Sequence, residues 1–66
     1  MNTGDKVTIK RGWGYNQYDP LDFKRSDGTV QGIVVKEQHK NPNTTLFRLN
    51  DGRLASTATS GLELVG

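Results

Sequence analysis

Sixty-six residues without a cysteine make one small domain, spanning 1–66, with neither disulfides nor thiolate metal sites to stabilise it. Hydrophobic residues are 32% of the chain, so nearly all the valine, isoleucine, leucine and phenylalanine must share one core. That leaves little material for a deep substrate pocket within one copy. Nine Lys and Arg against seven Asp and Glu give a net charge of +2, ordinary for solubility and a weak sign of a polyanionic partner.

The first residues carry no apolar signal-peptide core, and no apolar run approaches the roughly 18 residues of a membrane span. The expectation is a cytoplasmic protein with no membrane partner. Residues 5–10 alternate, with Val7 and Ile9 on one face and Lys6, Thr8 and Lys10 on the other, which predicts a half-buried strand. Residues 11–28 read as a long irregular loop, with glycines at 12, 14 and 28 and a turn at Asp19-Pro20. Loops of that length in so small a domain are usually functional or carry their own packing.

Residues 29–37 give the strongest strand signal, from Val30, Ile33, Val34 and Val35, with Gly32 marking a bulge, bend or close approach. Asn41-Pro42-Asn43 punctuates a polar connection. Residues 44–49 alternate again, with Phe47 and Leu49 inward; Asp51-Gly52 predicts a tight hairpin into residues 53–58, where Leu54 is the expected inward residue. Thr59-Ser60-Gly61 allows one 3₁₀ turn before a last strand at 62–65. The predicted class is all-β: a five-stranded SH3-like barrel with a long first loop and a 3₁₀ turn before the last strand.

Gly4-Asp5-Lys6-Val7, the run Gly28-Thr29-Val30-Gln31-Gly32-Ile33-Val34 and the ending Asp51-Gly52-Arg53-Leu54 through Gly61-Leu62-Glu63-Leu64-Val65 resemble SH3-like barrels of the KOW and Tudor type. The resemblance covers about three quarters of the chain, through degenerate motifs, and departs from KOW in the aromatic insertion at 12–23. It implies a binding module for nucleic acid or a nucleoprotein partner.

Catalysis within one copy has few candidates. His39 is the only imidazole and reads as a solvated turn residue, and Asp19, Asp22 and Asp27 read as a solvated loop. Gly12-Trp13-Gly14 lacks the lysine, hydroxyl and helix of a phosphate loop. A non-enzyme with no metal and no cofactor is expected. The opening also resembles the tiny plasmid-type trimethoprim-resistant dihydrofolate reductases, which act as tetramers. Leu54-Ala55-Ser56-Thr57 stands where that family has Val-Gln-Ile-Tyr, so reductase activity is a remote alternative.

The chemistry concentrates in residues 11–25, which hold Trp13, Tyr15, Tyr18 and Phe23, bracketed by Lys10, Arg11, Lys24 and Arg25. Aromatic faces stack on bases and cations neutralise phosphates. The predicted binding set is Lys10, Arg11, Trp13, Tyr15, Tyr18, Lys24 and Arg25, with Leu21 and Phe23 packing back on the core. Lys6, Arg48 and Arg53 offer a second surface on the outward strand faces. The same loop would serve as a protein-interaction module or inhibitor, since Trp, Tyr and Arg dominate interface hot spots. Tyr15 and Tyr18 are placed similarly to the first-loop aromatics of peptide-binding SH3 domains. A homo-oligomer through edge strands, at Val34 and Val35 or at 62–65, is a further possible partner.

Overall fold

Backbone groups decide the fate of the long segment after the first strand. Eighteen residues of loop would leave most of their N–H and C=O groups to water, whereas the residues on either side of Asp19-Pro20 pair them with one another. The computed structural model, which describes residues 2–65, places a hairpin there. Its strands are β1 (Lys6–Ile9), β2 (Gly14–Gln17), β3 (Asp22–Arg25), β4 (Gln31–Lys36), β5 (Thr44–Leu49), β6 (Leu54–Ala58) and β7 (Leu62–Leu64). A 3₁₀ turn, Thr59–Gly61, precedes β7. The five expected strands are therefore joined by two more, and the expected loop is mostly β2 and β3.

All seven strands form one open antiparallel sheet in the order β3-β2-β6-β5-β4-β1-β7. β3 and β7 are its edges. The sheet is strongly curled: its principal extents are 25 × 23 × 21 Å, and a single flat layer could not be so thick. The inner face gathers Val7, Ile9, Tyr15, Val34, Phe47, Leu49, Ala55 and Leu62 into the core. Phe47, Ile9, Val7 and Val34 are its largest fully buried apolar side chains.

Register explains who faces inward. Arg48 pairs with Leu54 and Phe47 with Ala55, so Leu54 shares the outward side with Arg48, and Ala55 fills the core position expected of Leu54. At Gly32, opposite Leu49, the backbone of β5 comes too close for any side chain. The ladder between β4 and β5 then shifts register between Val34 and Lys36. The Asp-Gly hairpin forms as expected, but only Gly52 takes a positive φ, of 92°. Its N–H donates to the Leu49 carbonyl at 2.9 Å and the Leu49 N–H donates to the Arg53 carbonyl at 2.7 Å, a three-residue loop closed by a glycine bulge.

Candidate functional site

Strand parity sorts the predicted binding set into two sides. In β2, Tyr15 and Gln17 point into the core, whereas Gly14 and Asn16 point outward. The pairs Gly14–Arg25 and Asn16–Phe23 put Arg25 and Phe23 on the outward side, and Tyr15–Lys24 puts Lys24 on the inner side. Tyr15 is only 7% exposed, so its ring is a core residue with no stacking face. Lys24 lies beside it, lining a wide cleft of about 300 Å³ with Gln31, Leu49 and Asp51. Tyr15 and Lys24 are thus separated from the remaining predicted residues.

Lys10, Arg11, Trp13 and Arg25 do come together. The Trp13 N–H donates to the Lys10 carbonyl at 3.2 Å, and the Ser26 N–H donates to the Trp13 carbonyl at 2.8 Å. Gly12, with φ of 88°, donates its N–H to the Ser26 carbonyl, while its own carbonyl accepts from Arg25 Nη1 at 2.8 Å. The buried Ser26 hydroxyl donates to the Ile9 carbonyl at 2.9 Å and ties this turn to β1. Arg11 lies against Gly28. Nearby, the Asp27 carboxylate accepts from both the hydroxyl and the N–H of Thr29, which hold its pKa below the ordinary value.

Two aromatic rings rest on glycines here. The indole of Trp13 lies on Gly61 of the 3₁₀ turn, and the ring of Phe23 lies on Gly14; a Cβ at either glycine would run into ring carbons. Trp13 stays 37% exposed, Phe23 62% and Leu21, at the hairpin tip, 73%. Leu21 and Phe23, expected to cover the core, instead face solvent. The core is already closed by Tyr15 on the other side of the hairpin, which leaves them nothing to cover.

Tyr18 occupies the far end of β2, on the same outward side. Its N–H donates to the Leu54 carbonyl at 2.9 Å and its hydroxyl lies 2.8 Å from that of Ser56, a residue that pairs with Asn16. His39 is half-buried rather than solvated, with its ring edge-on to Tyr18 at 6.2 Å between centroids. Lys40, with φ of 69°, places its ammonium 6.0 Å from the centre of the Tyr18 ring. Tyr18 also lines a cleft of about 240 Å³ with Asp19, Arg48, Gly52, Arg53 and Leu54. Of the second predicted surface, Lys6 and Arg48 flank Ile33 on neighbouring strands, and Arg53 sits at this cleft beside Asp51 at 3.8 Å.

Outward-facing strand positions therefore carry Lys6, Arg25, Lys36 and Arg48. Among the described residues, the one strand carboxylate on that side is Glu63, opposite Thr8 at the far edge. Among the described residues, no group of three or more His, Asp or Glu could hold a metal ion, and no helix is long and apolar enough to cross a membrane.

Burial raises the pKa of Tyr15 above its ordinary value, helped by Asp27, Asp51 and Asp22. The unfolded chain then releases the phenol proton at lower pH than the native one. Above about pH 10 it binds fewer protons, so stability falls as pH rises. Urea midpoints for the parent should fall between pH 9 and 11, and Tyr15→Phe should flatten part of that fall. An unchanged alkaline slope in Tyr15→Phe would place the loss elsewhere.

No family model, curated protein or solved structure matches this chain.

Proposed function

We propose that this chain is a non-catalytic module that binds single-stranded nucleic acid along the outward side of β2, β3, β6 and β5. The observation that carries it is the sharing of one side by aromatic rings, two of them exposed, and by cations of which only Arg53 has an ion-pair partner among the described residues. Phe23 and Arg25 stand at one end with Trp13, Lys10 and Arg11 beside them; Tyr18, Arg48 and Arg53 stand at the other. Along β2 these ends are about 13 Å apart, at roughly 3.3 Å per strand residue. Bases stack on rings without regard to sequence, and cations on the flanks neutralise phosphates.

The order of elements supports reading the fold as an SH3-like barrel of the KOW or Tudor type. β1 carries both β4 and β7, the hairpin β2–β3 fills the place of a long first loop, and the 3₁₀ turn precedes the final strand. A cytoplasmic, nucleoprotein-associated role accords with that reading.

Fluorescence anisotropy of a labelled single-stranded oligonucleotide tests it. Binding should be detectable at low salt and weaken steeply as salt rises. Arg25→Gln should lower affinity about three- to tenfold and reduce the salt slope by about 0.7, the loss of one phosphate contact on a single strand. A flat anisotropy trace up to high protein concentration at low salt would remove the proposal.

A protein partner is the second reading, favoured by the exposed apolar side chains of Leu21, at the hairpin tip, and of Phe23 on β3. In that case Leu21→Ser would abolish capture of the partner, whereas Arg25→Gln would change little.

A further inference from the structure

Resting on the nucleic-acid reading above, we infer that the cleft between Tyr18 and the β5–β6 hairpin is a pocket for one guanine base. At about 240 Å³ it is smaller than the roughly 300–1,000 Å³ of drug-sized sites, which suits one planar ring system. Tyr18 and Leu54 supply aromatic and apolar walls, and Asp19, Arg48 and Arg53 supply the polar groups.

These polar groups have capacity to spare. Arg48 spends one N–H on the Gly52 carbonyl at 2.8 Å, which orients its guanidinium and leaves other donors free. Arg53 makes only a long contact of 3.8 Å to Asp51. Among the described residues, the Asp19 carboxylate has no hydrogen-bond or ion-pair partner within the chain. Asp19 is also held at φ of 58°, and a non-glycine residue in that region is a feature that clusters at binding sites.

Guanine matches this mixture of charges. It presents the O6 and N7 acceptors side by side, which a guanidinium meets with two N–H donors. Next to them lie the N1–H and N2–H donors, which one carboxylate accepts. A phosphate would meet the Arg48 and Arg53 donors but be repelled by Asp19. Adenine offers a single amino group in place of the paired donors. The unstacked base would lie against Tyr18, as bases of single strands commonly do on aromatic side chains.

The test compares a labelled uridine oligomer with versions carrying one central guanosine, adenosine, inosine or 7-deazaguanosine, by anisotropy at one salt concentration. Guanosine should tighten binding about tenfold, within the range for a good bidentate base contact. Inosine, which lacks the 2-amino group, and 7-deazaguanosine, which lacks N7, should each lose much of that gain. Asp19→Asn keeps the side-chain shape and the backbone tolerance for positive φ. It should erase the preference for guanosine over adenosine, while the lost negative charge tightens all the oligomers alike.

Equal affinity for the guanosine and adenosine oligomers would overturn the inference while leaving the strand-binding reading standing. Guanosine 5′-monophosphate followed by NMR separates the opposite case. Shifts confined to Tyr18, Asp19 and Leu54, with no oligomer bound, would keep the base pocket and discard the strand track. Silence from every ligand discards both.

Discussion

Gly32→Ala is expected to cost about 3 kcal/mol or more and lower the melting temperature by roughly 12–24 °C. A Cβ built on Gly32 would stand 2.5 Å from the Arg48 carbonyl oxygen and 2.7 Å from Cδ2 of the Phe47 ring. The first obstacle is backbone in a paired strand and the second is the most deeply packed ring of the core, so neither can yield cheaply. A domain of this size has on the order of 3–5 kcal/mol in hand. Thermal unfolding by circular dichroism reads the effect, and a melting temperature within a few degrees of the parent would show that β4 and β5 are not so closely apposed. Gly14 offers the instructive contrast. The atoms nearest to a Cβ there all belong to the ring of Phe23, which is exposed and has room to swing outward.

Phe47→Ala should be as severe by the opposite route, leaving a void where Gly32→Ala creates a clash. Phe47 is fully buried among the core side chains, and truncating a buried phenylalanine costs about 3–5 kcal/mol. The variant should be largely unfolded at room temperature, with strong dye binding and no cooperative urea transition. A normal transition would mean that the neighbouring side chains collapse into the space. Because Gly32 and Phe47 touch, their effects should not add. Gly32→Ala combined with Phe47→Leu should be less damaging than the sum of the two single changes. Recovery stays partial, because the Arg48 carbonyl still blocks the new methyl group.

The core strands were legible from alternation alone. Val7 and Ile9, and Phe47 with Leu49, face inward as their spacing requires. In the unbroken run Ile33-Val34-Val35 the strand was legible but not that Val34 alone faces inward, and Gly32 stood out through its isolation among β-branched residues. The hairpin β2–β3 was not, since glycine, asparagine, glutamine and aspartate around Asp19-Pro20 have low strand propensity and look like loop. What holds them extended is pairing with β6 and the buried Tyr15, which are tertiary facts. The same blindness misplaced the site. With no register for residues 14–25, little in the sequence separated Tyr15 and Lys24 from Phe23 and Arg25. The alternation Tyr15, Gln17 against Gly14, Asn16 was the available signal, and it was weak because only one of those four residues is strongly apolar. Asp19 was read as a solvated loop residue for a different reason: Arg48 and Arg53, which line the same cleft, lie some thirty positions away and only the fold brings them near.

The sole indole of the chain sits on Gly61, where the turn after β1 meets the 3₁₀ turn before β7. Its emission therefore reports one seam and nothing else. If that seam parts ahead of the sheet during denaturation, the tryptophan signal will move before the far-ultraviolet one, and an otherwise all-or-none transition will show which of its joints gives first.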